Sequence, residues 1–403
     1  MTSVVRSLAR SLARSLAVAA VLGTAAGTIP AGSPALAADP VKIGLILPMS
    51  GPFASTGKQI EAAVRLYQQL NGDSVAGRKV EVIVKDDTGV APDMTKRLAQ
   101  ELVVKEKVSV LAGFGLTPLA LSAAPVSEQA KTPMIVMAAA SSVITTKSPY
   151  ILRTSGTLPQ SAASIAQWAA KNGAAKMYSM VTDYGPGIDA ETVFKQRFAA
   201  SGGTVVGDVR IPLKNPDYGP FMQRAKDTAP DAIFAFVPSG EGASFMKEFA
   251  ERGLAKAGVR LLATGDVTDD DILPAMGDAA IGTVTAHYYS AAHPSAENKA
   301  YVEAFRKANG GLRPNFMSVG GWDGMHLVYE VLKKTGGKAD GDSFVAAAKG
   351  MSWTSPRGPV TIDADTRDII QDIYIRKVER RDGELFNVEF DKVTAVKDPG
   401  KGG

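Results

Sequence analysis

The segment "LILPMSGPFASTGKQIEAAV", residues 45–64, carries the residue types of a phosphate loop: an apolar run, small residues, a lysine and then a helical pattern. A Walker A loop separates its glycines by four residues and follows the second with Lys and a Ser or Thr that ligates Mg²⁺. Here Gly51 and Gly57 enclose five residues, and Gln59 follows Lys58. Gln has no hydroxyl for the metal, and the extra residue changes which backbone N–H groups converge on a phosphate. NTP chemistry is therefore unsupported. What survives is a loop leading from a strand to a helix N-terminus, a good place to receive a polar or anionic ligand.

Other constellations fail more simply. No Ser has Gly at both the second residue before it and the second after it, so the nucleophile elbow of an acyl-transfer enzyme is absent. His287, His293 and His326 form no HExxH pair, and the chain has no Cys to join them in a zinc site. His326, inside "WDGMHLVYEVL", reads as a satisfied core histidine. The run "GDVTDDDIL" lacks the alternating acids and central Gly of a calcium loop. Asp269, Asp270 and Asp271 read as a helix N-terminus whose acids complement the dipole. Asp266 directly follows the strand "VRLLAT", where it is either a receiver for an ammonium group or a turn residue. No catalytic residue, metal or cofactor is expected.

Two further loops suit a carboxylate. "GFGLTP", Gly113–Pro118, ends one strand and opens a helix, and "AAASS", Ala138–Ser142, ends the next. Small residues let a ligand approach the backbone, and N–H groups at a helix start donate to a carboxylate. The alternative is a tight turn whose small residues merely pack. Phe53, Phe114 and Tyr184 flank these loops as candidate apolar walls.

The elements that must position these loops alternate. "VKIGLIL", "KVEVIVK", "VSVLA" and "MIVMA" are short apolar runs, separated by helical patterns from Lys58, Pro92 and Pro118. A second round begins near Pro159 and carries "KMYSMVT", "TVVGDVRI", "AIFAFV" and "VRLLAT". Such alternation predicts parallel sheets covered on both faces by helices. After a strand in "IGTVTAHYY" come helices over 295–309, 315–335 and 342–350, then strands "GPVTID", "DIIQDIYIRKVE" and "LFNVEF". These late elements must join the two existing units, so the chain crosses between lobes more than once. The fold class is α/β, two doubly wound lobes whose loop edges face each other across a hinged cleft.

The 403 residues exceed what one core usually holds. Residues 1–37 contain Arg6, Arg10 and Arg14 in three "RSLA" units, no acid, an apolar stretch and "ALA" before Ala38. That pattern reads as a cleaved signal peptide, in preference to a transit peptide. Its removal takes three of the 45 basic residues and none of the 41 acids, leaving 42 against 41, so the high pI does not point to nucleic acid. With no Cys for lipidation and no later membrane-length apolar run, the expected location is the periplasm, without a lipid anchor.

Taken together, "LPMSGPFASTGKQIEAAVRLY", "VIVKDDTGVAPDMTKRLAQELV", "TDYGPGIDAETVFKQRF" and "GDVRIPLKNPDYGPFMQRAK" resemble the leucine/isoleucine/valine-binding type of periplasmic solute-binding protein, the receptor of ABC importers. The resemblance runs from Val41 to about Asp391. It implies the type I periplasmic binding protein fold, with lobe 1 over 41–157 plus 287–360, lobe 2 over 158–286 plus 361–393, and a flexible tail over 394–403. It also implies a ligand held by Thr117 to Leu119 and by Ala140 and Ser141, with Phe53 to Thr56 in the side-chain pocket. Tyr184 would close from the second lobe, and Asp266 stands where the family often places an acid for an ammonium.

One departure is informative: Pro118 and Leu119 in "GFGLTPLA" stand where hydroxyl residues are expected. Fewer hydroxyls suit an α-amino acid less, and an aromatic acid beside Phe114 would suffice, so both ligand classes stay open. The expectation is a monomeric, non-enzymatic receptor that delivers a small carboxylate to a membrane permease. A ligand sensor and an α/β hydrolytic enzyme are the rivals.

Overall fold

In the computed structural model, which describes residues 39–401, the first strand is almost wholly buried. It is the continuous apolar run of a parallel strand covered on both faces. The expected signal peptide, residues 1–37, lies outside the described residues. In chain order the first unit is β1 (Val41–Leu47), α1 (Ala54–Asn71), β2 (Ser74–Val75), β3 (Arg78–Asp86), α2 (Pro92–Val104), β4 (Val110–Gly113), α3 (Thr117–Ala130), β5 (Met134–Val136) and β6 (Ile151–Arg153). Its six strands pair in the order β2-β3-β1-β4-β5-β6, parallel except for the β2–β3 hairpin.

The second unit is α4 (Leu158–Lys171), β7 (Lys176–Thr182), α5 (Gly185–Ala200), β8 (Thr204–Ile211), α6 (Gly219–Asp227), β9 (Ala232–Phe236), α7 (Gly242–Glu251), β10 (Arg260–Thr264) and β11 (Val284–His287). Then come α8 (Ala296–Ala308), α9 (Phe316–Thr335), α10 (Gly341–Ala348), β12 (Ser352–Ser355), β13 (Gly358–Ile362), β14 (Ile369–Arg381) and β15 (Glu384–Val396). The nine-stranded second sheet runs β12-β13-β14-β11-β10-β9-β7-β8, with β15 paired to β14. From β8 to β11 it is parallel; the late strands extend it antiparallel.

The late helices return to the first sheet. Tyr67 of α1 meets Trp322 and Tyr329 of α9 edge to face, with ring centroids 4.8 and 5.1 Å apart. Tyr67 also reaches Nδ1 of His326 at 3.2 Å, so that histidine is partnered within the core. Gly320 and Gly321 permit the close fit. A Cβ on Gly320 would stand 2.1 Å from the Met137 carbonyl oxygen, and one on Gly321 2.8 Å from that of Ile60. Strand β13 spans the position where the sequence-based division passed from lobe 1 to lobe 2, after residue 360, and its ladder with β14 is continuous there.

Three buried arginines tie the crossings together. Arg153, at the end of β6, bonds Asp368 at 2.8 Å, the Ala139 carbonyl and, at 2.6 Å, the Ser141 carbonyl. Arg376 on β14 donates to the Tyr289 carbonyl, to that of Gly265 at 3.3 Å and to the Thr285 hydroxyl. Arg357 pairs with Asp323, donates to the Thr154 carbonyl and lies 4.9 Å above the Tyr288 ring.

The segment expected to be a flexible tail is instead bonded through residue 401. Gln160 Nε2 donates to the Val396 carbonyl at 2.7 Å, and the hydroxyls of Ser142 and Thr157 donate to Asp398 at 2.9 and 3.0 Å. Lys401 pairs with Asp368. Charged residues near a terminus read as solvated from the sequence, but here each meets a partner beside a crossing.

Candidate functional site

In the first sheet β1 lies between β3 and β4, and in the second β7 lies between β8 and β9, so each strand order reverses there. Reversals of this kind leave a crevice beyond the carboxyl ends of the strands. The loops after β1, β4 and β5 meet those after β7, β9 and β10 around a narrow cavity of about 20 Å³. That is little more than one water's worth of room, so a solute enters only when the walls part.

Phe53, Thr56, Thr117, Ala140, Tyr184 and Asp266 line this cavity. The remaining expected residues lie elsewhere. Phe114 is fully buried among Ile46, Leu111 and Ala120, behind the loop it was expected to line. Its φ of 67° is costly for a bulky residue. The conformation is held by its N–H on the Ile46 carbonyl, 2.9 Å, and by the Ala139 N–H on its own carbonyl, 3.0 Å. Leu119 packs against Phe53 and Leu116 and so supports the wall from behind. Ser141 turns its hydroxyl to Asp189 of α5.

Leu116, Leu158, Phe236, Pro238, Ser239 and Met317 also line the cavity and were not anticipated. Phe236 and Ser239 follow β9 with the same strand-end signal as the other loops. Met317 enters from the first turn of α9, where no strand end announces it. A second adjoining cavity, also about 20 Å³, shares Ala138, Ala140, Leu158 and Asp266 with the first and is otherwise walled by Gly156, Thr157, Ser161, His287, Tyr288 and Phe316.

The walls are apolar but carry three buried atoms without a hydrogen-bond partner: Thr117 Oγ1, Asp266 Oδ2 and His287 Nδ1. Burial pushes the Asp266 carboxyl up to about 6, against the lowering pull of Arg376. Burial also drives the His287 imidazole well below its usual range, with the Arg376 and Arg357 cations adding to the effect, so the ring is neutral at pH 7. Burial and the Asp266 charge hold the Tyr184 phenol far above its usual value, so it remains a hydroxyl. Tyr184 stacks on Phe236 with centroids 5.9 Å apart.

Bonds around the cavity link the two loop sets. Asp189 accepts from the Ser141 hydroxyl and, at 3.0 Å, from the Ser142 N–H. Asp271 accepts from Ser55, and Asp269 accepts from Ser239 and, at 2.9 Å, from Asn315. Asp270 accepts from Asn387 at 3.1 Å. The acids expected to complement a helix dipole therefore serve other partners: the helical turn that follows them begins at Leu273, and their side chains point across the cleft and into the β15 side.

The sequence profile of the family described as Periplasmic binding protein matches residues 40–384. The Leu/Ile/Val-binding protein homolog 6 of Brucella abortus (strain 2308) is 46% identical over 369 residues, 91% of this chain and 95% of its own. Among solved structures, a solute-binding protein of an ABC transporter from Rhodopseudomonas palustris BisB5, in complex with 3,4-dihydroxybenzoic acid, is 63% identical with a TM-score of 0.88, covering 90% of this chain and 99% of that one. A second, from R. palustris in complex with 4-hydroxybenzoate, is 44% identical with a TM-score of 0.87 and covers the same shares, 90% and 99%. Two sheets that face each other across a narrow cleft, under a profile match of this extent, have one reading: the chain belongs to the periplasmic binding protein family, as an ABC solute-binding protein of the leucine/isoleucine/valine-binding type.

Proposed function

We propose that this protein is a periplasmic receptor for a small aromatic carboxylate, which it captures between two closing lobes and passes unchanged to a membrane permease. The observation that carries the reading is the cavity lining, in which Phe53, Leu116, Tyr184, Phe236 and Met317 surround isolated polar atoms on Thr117 and Asp266. A ring fills such walls, while an α-amino acid needs a cluster of hydroxyls for its two charged groups, and the positions after Thr117 hold Pro118 and Leu119. The 63% identical protein bound to 3,4-dihydroxybenzoic acid supports the same class.

In this reading Thr117 and the Ala140 backbone receive the carboxylate, Phe53 and Thr56 flank the ring, and Tyr184 closes over it. Ser141 acts through its bond to Asp189, and the lobes divide close to 157, close to 287 and again just before β12. The receptor acts as a monomer and performs no chemistry on the ligand.

A second reading, a branched-chain amino acid with its ammonium on Asp266, is favoured by the name of the 46% identical relative. Thermal unfolding with benzoate, 4-hydroxybenzoate, 3,4-dihydroxybenzoate or leucine separates the two. A ligand at a hundred times its Kd adds about 2.7 kcal/mol of stability, which shifts the melting temperature measurably. A shift with leucine and none with the benzoates would sink the aromatic reading, and recovery of an altered acid would sink the receptor role.

A further inference from the structure

We propose that Asp266 and His287 together read a ring hydroxyl of the bound acid, which makes His287 a specificity-determining residue. The inference deepens the aromatic-acid reading and rests on it.

Nε2 of His287 lies 3.7 Å from Oδ2 of Asp266. That is too far for a hydrogen bond between them, yet an oxygen set about 2.8 Å from each atom fits between the two. Both side chains are at least nine-tenths buried; Oδ2 of Asp266 has no partner, while on His287 the unpartnered buried nitrogen is Nδ1 and the one nearest Asp266 is Nε2. The two small cavities meet at Asp266, and His287 is on the far wall of the second. A group that passes Asp266 therefore arrives against the imidazole.

A neutral imidazole offers one N–H and one lone pair, and a carboxylate only accepts. A phenol hydroxyl answers both, donating its proton to Asp266 and accepting the Nε2 proton of His287. An ammonium donates to Asp266 but has no lone pair to offer the imidazole N–H. A bare ring edge leaves both buried groups unpaired, the situation in which a polar site rejects an analogue most strongly. The imidazole plane is fixed: Tyr288 stacks on it with centroids 4.3 Å apart, and Phe316 meets it edge-on at 4.4 Å. Burial and the two guanidinium groups nearby keep the ring uncharged.

Calorimetric titration of the purified protein with benzoate, 4-fluorobenzoate and 4-hydroxybenzoate tests the idea. Fluorine occupies the place of the hydroxyl without donating a proton. We expect the hydroxy acid to bind at least tenfold more tightly than either analogue, and His287→Phe to abolish that advantage, bringing the hydroxy-to-benzoate affinity ratio to about one. Equal affinities for the fluoro and hydroxy acids in the unmutated protein overturn the proposal even if the variant does not fold. So does an unchanged hydroxy-to-benzoate ratio in His287→Phe or in His287→Gln with the amide facing away. Failure of all three acids to bind, with leucine binding, overturns the aromatic-acid reading beneath it, a result separate from the loss of hydroxyl discrimination alone.

Discussion

Arg357 Nη2 lies 2.7 Å from Asp323 Oδ2, and both side chains are fully buried. The pair joins the turn between β12 and β13 to helix α9, while the same guanidinium reaches Thr154 after β6 and the Tyr288 ring after β11. One side chain thus touches the segments that follow β6 and β11, where the chain leaves one sheet for the other, as well as helix α9. Replacing Arg357 by Met leaves Asp323 with the Trp353 and Ser355 donors alone. Breaking a buried pair from one side costs about 3–5 kcal/mol, and urea unfolding of the variant should show a loss of that order. A change below about 1 kcal/mol, the scale of an exposed pair, would mean that the pair contributes little.

Arg153→Lys tests the support of the Ala139–Ser141 loop. Lysine keeps the charge but cannot reproduce the fork that meets Asp368 and two carbonyls at once. Ligand affinity should fall about tenfold, equivalent to about 1.4 kcal/mol. Unchanged affinity by calorimetry would detach the loop's geometry from this arginine.

Asp266 bears on stability in a definite direction. Its carboxyl, near 3.8 when unfolded, rises to about 6 in the fold through burial. The folded form therefore binds the proton more strongly, and the stabilising effect of that proton, complete below 3.8, is lost as pH rises through 6. Asp266→Asn removes the charge, so the variant should be more stable at pH 7 by up to roughly 3 kcal/mol, with the gain shrinking towards pH 4. Chemical unfolding at both pH values checks this. A gain that persisted at pH 4 would refute the titration argument, and the same variant should bind 4-hydroxybenzoate less well.

The Asp189 contacts to Ser141 and Ser142 hold the loop sets together. Hydrogen bonds to a charged group are worth about 1.5–3 kcal/mol, so Asp189→Ala should shift the protein towards an open form and weaken ligand binding at least tenfold. Small-angle scattering should register a larger radius of gyration for the free variant, restored by saturating ligand. Identical radii with and without the substitution would show that the contact does not bias closure.

Much of this was legible because parallel strands bury both faces and appear as unbroken apolar runs. "VKIGLIL" and "KMYSMVT" are such strands over those same residues, and "TVVGDVRI" is a strand over its own residues although it forms the half-exposed edge of its sheet. Strands β2, β6 and β12 were missed: they are as short as β4, β5 and β11 but are not embedded in a longer apolar run that announces them. The strand-end loops identified Phe53, Thr117, Tyr184 and Asp266 as neighbours in space, because topology alone brings such loops to one edge. Phe114 escaped correct placement because its left-handed φ turns the ring back into the core, a conformation that residue type argues against. Met317 escaped because a contact from the first turn of a helix depends on tertiary packing rather than on any local pattern, and His287, although it ends strand β11, comes into question from the sequence only as a zinc ligand.

The partnership of α1 with α9 also has a bearing on how the chain matures. Tyr67 finds Trp322 and Tyr329 only after the whole second round of strands has been made. In a chain synthesised from its N-terminus, the first sheet completes its strands at Arg153 while the flank of α1 stays bare until α9 emerges. For that interval the nascent protein presents aromatic surface to its surroundings, which is the kind of exposure that recruits chaperones and invites association between copies.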